Sequence, residues 1–229
     1  MKYAVWRFNW LANHKVVRVL ERVRPHAHGV LIDVGCGWMP FAYLFGGHVT
    51  RYLGIDPVRS SRRGASPPAA LARAEALPFR SGSADTMLGL SMITRLSEPL
   101  RMLEECHRVL RPGGTLIVEF EQMAPLYEPP HDYWRFTRFG ATWLLERAGF
   151  EILEIIPIGG LMARVGLSMI AALNRLNRGP LRLLTELPVR LLYVILQVVF
   201  ELLDRVFFDP GEVLANLVVA RRPGSPVDS

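Results

Sequence analysis

The sequence predicts an α/β fold, namely a doubly wound, seven-stranded, mostly parallel sheet with a helical insertion before the last strand. Three observations support this prediction. Short apolar segments typical of buried strands alternate with segments of helical periodicity over residues 30–157, an alternation typical of parallel sheets covered by helices. The first apolar segment ends at the glycine pair Gly35 and Gly37. A last strand-like segment near residue 220 follows a long helical stretch.

The first half of the chain supplies three of the strands. Residues 30–34 form an apolar run that ends at glycine, as expected of a strand buried on both faces. Pro40 fits the first turn of a following helix, where its missing amide hydrogen would have had no partner. Residues 51–56 form a second strand that ends at Asp56, and a third short strand covers residues 71–74.

The second half continues the alternation. Strands are predicted over residues 86–92, 115–120 and 150–156. Ser97 is expected to cap the helix between the first two of these strands, and the Arg-Pro-Gly-Gly turn at 111–114 is expected to end it. Thr137 is expected to cap a later helix that Gly149 terminates.

Length and composition limit the domain count and the type of partner. A chain of 229 residues, 50% hydrophobic and 21% charged, is long enough for one α/β domain and too short for two ordinary ones. We therefore predict one domain over residues 1–229, with a helical segment at 1–28 and an apolar helical insertion at 159–208. The net charge is +6, but no basic run exceeds two residues, so nucleic acid is not expected as a partner.

The cysteines and histidines predict neither a disulfide framework nor a metal site. Cys36 and Cys106 have no CxxC partner, and no histidine is grouped with cysteines or acids in the spacing of a metal site. The amino terminus contains polar interruptions and lacks a cleavage site typical of a signal peptide. We expect a cytoplasmic protein.

Four segments together identify a family. "VLIDVGCG", "YLGID", "AEALPFRSGSAD" and "HRVLRPGGTLIVEF", in this order and spacing, resemble the class I S-adenosylmethionine-dependent methyltransferases, with a type 11 methyltransferase domain. The motifs GCGxxPF and PHDYWRFT are similar to those of a bacterial subgroup of this family. The resemblance implies a Rossmann-like methyltransferase fold and S-adenosyl-L-methionine as cofactor. That ligand has no pyrophosphate, so the third glycine of a dinucleotide loop is less needed, and Pro40 occupies its place.

The resemblance also implies the cofactor site. Asp33, Gly35 and Gly37 would surround the methionine and ribose parts, and Asp56, which lies 19 positions after Gly37, would bind the ribose hydroxyls. The complete predicted set is Asp33, Gly35, Cys36, Gly37, Asp56, Pro57, Ala74, Glu75, Ser91 and Met92. Two positions depart from the family. Arg73 stands where an acid usually contacts the adenine amino group, and Thr94 and Arg95 stand where many relatives carry Glu-His.

The segment "EPPHDYWRFTR" is the best candidate for the chemistry, because it follows the fifth strand on the ligand-binding side. We predict that His131 is the base that removes a proton from a hydroxyl acceptor, that Asp132 orients it, and that Tyr133 with Trp134 and Arg135 shapes the acceptor pocket. The alternative is that His131 and Asp132 only fix a loop under which Trp134 packs. His107 is expected to be a packed or rim residue.

The helical insertion leaves two interpretations open. Its first helix is amphipathic, with Val165 and Met169 on one face and Arg164 and Ser168 on the other. The second is apolar almost all round, but its longest uncharged run, residues 191–200, is far shorter than the about 18 residues that span a bilayer. The insertion is therefore either a lid or dimer contact, or a pair of helices lying on a membrane surface.

The sequence as a whole predicts an enzyme, a methyltransferase that acts on a small or lipid-linked acceptor, with a saccharide hydroxyl as one candidate. It would be cytoplasmic, and peripheral to the inner face of the membrane if the insertion binds lipid. The main alternative is a degenerate, non-catalytic protein of the same fold that acts as a membrane or complex subunit. NAD-dependent oxidoreduction is weaker, because the third glycine is missing and no hydride-transfer constellation is apparent.

Overall fold

The computed structural model describes residues 5–58, 67–177 and 182–224. Within these residues, short apolar runs form strands and longer amphipathic segments form helices. The strands are β1 Val30–Val34, β2 Arg51–Asp56, β3 Ala70–Leu71, β4 Ala84–Gly89, β5 Leu110–Glu121, β6 Glu151–Ile158 and β7 Ala215–Arg221. The helices are α1 Trp10–Val23, α2 Ala42–Phe45, α3 Pro99–Val109, α4 Arg138–Arg147, α5 Leu161–Leu176 and α6 Arg182–Val206.

The strands form one seven-stranded sheet in the order β3-β2-β1-β4-β5-β7-β6. β1 pairs in parallel with β2 and with β4, and β2–β3 and β4–β5 are parallel pairs as well. The chain moves outward from β1 in one direction and then restarts at β4 in the other. This reversal between β1 and β4 is where ligands bind in doubly wound sheets. The predicted fold class is confirmed.

The core of the sheet consists mainly of apolar strand residues. In β1, Leu31, Ile32 and Val34 are at most 1% exposed, and in β5 the run 116–118 is fully buried. Helices α3 and α4 contribute Met102 and Leu145, among others, to the same core. Because its interior is continuous, the sheet presents the loops at its carboxyl edge on a rigid base.

Some predicted element ends agree with the structure and others do not. The strand predicted over 71–74 ends at Leu71, the strand predicted over 86–92 ends at Gly89, and residues 111–114 belong to β5 and not to a turn. The Thr137 hydroxyl accepts a bond from the Gly140 amide at 3.2 Å, as predicted for the start of α4. Ser97 does not cap α3: this helix begins at Pro99, whose fixed φ sets the first helical position, so Ser97 lies too early to reach its amides. Pro40 also lies outside a helix, because α2 is a single turn that begins at Ala42.

The described chain divides into two compact units. The helical unit comprises residues 1–19 and 157–215, and the sheet unit comprises residues 20–156 and 216–229. Helices α5 and α6 lie between β6 and β7 in the chain, where the helical insertion is predicted, and the first part of α1 joins their unit. In the described residues, no helix combines the length and the hydropathy that crossing a bilayer requires.

Candidate functional site

The candidate site lies at the carboxyl ends of β1, β2 and β4 in the sheet unit. Gly35 follows β1, Asp56 ends β2, and Ser91 follows β4. The three strands are parallel neighbours, so these residues converge on one edge of the sheet. The site is therefore built by the topology from residues that are far apart in sequence.

The loop after β1 is a tight turn in which two glycines adopt positive φ. Gly35 has φ +70° and Gly37 has φ +51°, in the left-handed region that other residues avoid. The amides of Gly35 and Cys36 both donate to the Ile55 carbonyl, at 2.9 and 3.0 Å. A side chain at Gly35 would also meet Met92, whose Cβ would lie 3.0 Å away. The loop is thus held against β2 and the segment after β4.

Asp56 is oriented by backbone donors at the end of β2. Its Oδ2 accepts a bond from the Gly37 amide at 2.9 Å, and its Oδ1 accepts one from the Val58 amide at 3.0 Å. Each carboxylate oxygen can accept more than one hydrogen bond. The side chain therefore couples the glycine loop to β2 while keeping the capacity to accept bonds from two vicinal hydroxyls.

Asp33 and Cys36 beside this loop both have raised pKa values. Asp33 is buried, and the Tyr52 hydroxyl donates to its Oδ2 at 2.6 Å. Burial, followed by the charge of Asp56, raises the pKa of Asp33 to about 7 despite the bond from Tyr52. Burial also raises the pKa of the Cys36 thiol to about 12, with Asp33 and Asp56 adding to the effect. Cys36 is consequently no thiolate nucleophile at neutral pH.

Arg73 forms an ion pair with Glu75. The Arg73 side chain is 74% exposed and its Nη2 lies 3.1 Å from Oε1 of Glu75, whose side chain is only 13% exposed. Ala74 between them is buried. A largely buried acid therefore lies two residues after position 73 and pairs with the exposed guanidinium.

Glu119 and Glu121 are site residues that the sequence reasoning missed. Both amide and hydroxyl of Ser91 donate to Oε2 of Glu119, at 3.0 and 2.8 Å, and hold Ser91 at φ +50°. Glu119 is buried, and burial together with the charge of Glu121 raises its pKa to about 7. Two alternating acids at the end of an otherwise apolar strand, "TLIVEFE", are the signal that could have identified them.

Thr94 and Arg95 join the segments that follow β4 and β5. The Thr94 hydroxyl donates to Oε2 of Glu121 at 2.7 Å, and its carbonyl accepts bonds from the amides of Tyr133 and Trp134. Arg95 pairs with Glu128 at 2.7 Å and also donates to the Ser91 carbonyl. These two departures from the family pattern therefore anchor the 127–134 loop at the site.

The candidate catalytic residues differ in their partners. The His131 Nδ1 lies 3.0 Å from the Tyr133 hydroxyl, and both side chains are exposed. Asp132 pairs instead with Arg135, at 2.7 and 2.8 Å, and accepts the Tyr127 amide at 2.8 Å. The bond from Arg135 and that amide lower the pKa of Asp132 to about 2. The orienting contact predicted between Asp132 and His131 is thus replaced by one from Tyr133.

Arg135 is a structural centre of the loop and has no free donor for an acceptor phosphate. Besides its two bonds to Asp132, it donates to the carbonyls of Ala124, Pro125 and Trp134. These five bonds use all five N–H groups of a guanidinium. Arg135 could bind an anionic acceptor only if one of these bonds broke. Trp134, 43% exposed, donates to the Leu96 carbonyl at 2.8 Å.

The remaining candidates for ligands are accounted for within the described residues. His107 packs edge-on against Phe150 with ring centroids 5.2 Å apart, as predicted for a packed or rim residue. Cys36 and Cys106 are buried free thiols. In the described ranges, no cluster of three His, Cys, Asp or Glu side chains is arranged to hold a metal ion.

A family model described as "Methyltransferase domain" matches residues 32–118, which run from within β1 into β5 and include the glycine loop and Asp56. Residues 32–118 of the chain therefore form a methyltransferase domain. The predicted family, the predicted enzyme class and the predicted cofactor, S-adenosyl-L-methionine, are confirmed by this match.

Curated relatives of this methyltransferase domain are distant. An uncharacterized methyltransferase of Mycobacterium leprae is 29% identical over 118 residues, which cover 48% of this chain and 41% of that protein. A tRNA U34 carboxymethyltransferase of Hahella chejuensis is 28% identical over 177 residues, covering 67% of this chain and 53% of that protein. The chain thus spans about two fifths to one half of the length of these two relatives.

Solved structures share the fold of the methyltransferase domain at low identity. The cyclase SpnF aligns with a TM-score of 0.60 and 20% identity over 92% of this chain and 82% of that one. A SAM-dependent methyltransferase from Thermotoga maritima aligns with a TM-score of 0.58 and 18% identity, over 94% of this chain and 91% of that one. At these identities the structures establish the fold alone, and one of them is named as a cyclase.

Proposed function

We propose that this methyltransferase domain transfers a methyl group from S-adenosylmethionine to a hydroxyl of a small or lipid-linked acceptor, with a saccharide hydroxyl as the favoured group. The observation that carries the proposal is the oriented Asp56 carboxylate, which bonds the amide of Gly37 at 2.9 Å and retains acceptor capacity for ribose hydroxyls. Glu75, whose side chain is only 13% exposed, would accept a hydrogen bond from the adenine amino group. S-adenosylmethionine supplies the methyl group as an electrophile attached to a sulfonium.

His131 is the proposed base for the acceptor hydroxyl. Its imidazole is exposed, and the Tyr133 hydroxyl 3.0 Å from Nδ1 would fix the ring so that Nε2 takes the proton. Displacement at the methyl carbon forms the new C–O bond and leaves S-adenosylhomocysteine, while the hydroxyl proton passes to His131. Tyr133 and Trp134 offer aromatic faces that suit a sugar ring, and Asp132 with Arg135 keeps the loop in shape.

The charge of the sheet unit argues against a tRNA acceptor, although one relative is named for a tRNA substrate. This unit contains 17 Lys and Arg against 16 Asp and Glu. Proteins that bind nucleic acid carry a clear basic excess at the binding face, because phosphate contacts dominate the affinity. A nearly neutral unit is better suited to a small acceptor. We place the reaction in the cytoplasm, peripheral to the inner face of the membrane, and a homodimer is the alternative use of the helical insertion.

A non-catalytic member of the family is the second candidate, and Arg73 is the observation that favours it. Its guanidinium cannot accept the hydrogen bond that an acid at this position would accept from adenine. Such a protein would act as a membrane-associated or complex subunit, and it would bind the cofactor weakly or not at all. The two candidates differ in cofactor binding and in turnover.

Calorimetric titration separates these candidates. We expect S-adenosylmethionine and S-adenosylhomocysteine to bind, NAD not to bind, and Asp56→Ala to weaken both adenosyl ligands by about 10- to 100-fold, since two charge-assisted bonds are lost. Absence of binding by both adenosyl ligands would favour the non-catalytic candidate. A screen of hydroxylated and lipid-linked saccharides with methyl-labelled cofactor then tests the acceptor class.

A further inference from the structure

Helix α6 buries its polar side and exposes its apolar side. The buried residues of its central turns include Gln197 at 0%, Glu201 at 5% and Asp204 at 2% exposure. The exposed apolar residues define the α6 apolar face, which consists of Leu187, Leu191, Leu192, Ile195, Val198, Val199, Leu202 and Val206. This is the reverse of the pattern of a helix that packs on a core.

The polar side of α6 is fixed inside the helical unit by many hydrogen bonds. Gln197 accepts the Leu11 amide at 3.0 Å and donates to the Val5 carbonyl at 2.6 Å. Asp204 accepts the amides of Gly160 and Ala163, at 3.0 and 2.9 Å. Rotating α6 to hide its apolar face would break these bonds, so the outward direction of that face is built into the unit.

Lys15 forms ion pairs with two buried acids on the polar side of α6. Its Nζ lies 2.7 Å from both Glu201 and Asp204, and its side chain is 11% exposed. Arg205 bonds Glu201 as well, at 2.9 Å. Two of the five acids of the helical unit are therefore buried and neutralised inside it, against ten Lys and Arg in the unit as a whole. The helical unit therefore carries a net basic excess in its sequence.

The α6 apolar face has the dimensions and composition of a surface that enters lipid. It follows one side of the helix from residue 187 to 206, about 29 Å at 1.5 Å per residue. Its members are only Leu, Ile and Val, which offer none of the polar groups that a protein interface normally pairs. Arg190 and Arg205 lie three residues after Leu187 and Leu202, so they border the α6 apolar face. Both arginine side chains are exposed.

We propose that α6 lies in the head-group region of an anionic bilayer, with the α6 apolar face among the acyl chains and Arg190 and Arg205 beside lipid phosphates. Helices with this distribution lie in the plane of the interface, buried by about 5–10 Å. A second copy of the chain fits less well, because two helical units with the same basic excess repel each other. The inference rests on the proposed peripheral location and is independent of methyl transfer.

Vesicle flotation tests this surface. The full chain is mixed with vesicles of phosphatidylcholine alone or with phosphatidylglycerol added, at low and high salt. We expect the wild type to bind the anionic vesicles and to bind them more weakly at high salt. The double variant Leu191→Glu and Leu202→Glu should lose binding by about 10-fold or more, since two apolar side chains no longer enter lipid. Leu153→Glu, an equivalent change at a 42% exposed leucine of the sheet unit, should bind as the wild type does.

The other outcomes are distinguishable. Thermal unfolding and S-adenosylhomocysteine binding, measured on every variant, separate loss of the surface from loss of the fold or of the cofactor site. If the wild type never floats and light scattering shows a dimer that the double variant converts to monomer, a second copy covers the face and the lipid assignment is overturned. Equal flotation of wild type and double variant would overturn it too.

Discussion

Ser91 donates both its backbone amide and its hydroxyl to a single oxygen of Glu119, at 3.0 and 2.8 Å. These two bonds hold Ser91 at φ +50°, a conformation that a residue with a side chain rarely adopts. The relationship ties the loop after β4 to the buried end of β5. Glu119 therefore positions this loop while carrying a carboxyl whose pKa is raised to about 7 by burial and by Glu121.

The raised pKa of Glu119 predicts a pH dependence of stability. An acid with an unfolded pKa of 4.5 and a folded pKa of about 7 favours the folded state below pH 4.5, and this advantage is lost as the pH rises through 7. Asp33, with a folded pKa of about 7, contributes in the same direction. The free energy of unfolding should thus fall between pH 4.5 and 7.

The change Glu119→Gln tests that dependence. The amide stays neutral and still accepts the bonds from Ser91, so the pH-dependent loss of stability should shrink by roughly 1–3 kcal/mol, with the part due to Asp33 remaining. Urea unfolding at pH 5, 6, 7 and 8 measures it. Glu146→Gln on the exposed side of α4 is the control and should leave the slope as it is. An unchanged slope in Glu119→Gln would contradict the assignment.

The two loop glycines should respond differently to alanine. At Gly35, φ is +70° and the new Cβ would lie 3.0 Å from that of Met92, so Gly35→Ala should cost about 2–4 kcal/mol of stability and weaken cofactor binding. At Gly37, φ is +51° but a Cβ meets nothing within 4 Å, so Gly37→Ala should cost only about 1 kcal/mol. Denaturant unfolding of both variants measures the free energy of unfolding, and so compares backbone strain with and without the contact to Met92. Equal losses would mean that the Met92 contact is unimportant.

The adenine side should depend on Glu75 more than on Arg73. Glu75→Gln should weaken S-adenosylhomocysteine about 10-fold, because a charged acceptor becomes neutral. Arg73→Ala should change the affinity less than about threefold, because that side chain is 74% exposed and forms a surface ion pair. Titration calorimetry of the two variants with S-adenosylhomocysteine measures both changes in affinity. A large loss in Arg73→Ala with none in Glu75→Gln would reverse these roles.

The fold class and the bounds of the first two strands were predictable from the sequence because their signals are local. β1 and β2 have the bounds that their apolar runs predict, and Asp56 stands at a fixed spacing after Gly37. The partners in the loop after β5 were not predictable, because Asp132, His131 and Tyr133 are adjacent in sequence and only the bidentate pairing with Arg135 decides where the carboxylate points. The outward face of α6 was hidden for the same reason, since hydrogen bonds from residues of the amino terminus turn Gln197 inward.

His131 and Tyr133 give the sharpest test of the chemistry once an acceptor is known. His131→Ala should lower kcat by about 10²- to 10⁴-fold, the usual contribution of a positioned base. Tyr133→Phe removes only the hydroxyl 3.0 Å from Nδ1, so turnover should fall less, by about 3- to 10-fold, through poorer orientation of the ring. Both variants should bind S-adenosylhomocysteine like the wild type, since neither residue belongs to the glycine-loop site. Full turnover in His131→Ala would remove His131 as base and leave the loop-fixing interpretation, in which Asp132→Asn should then have the larger effect.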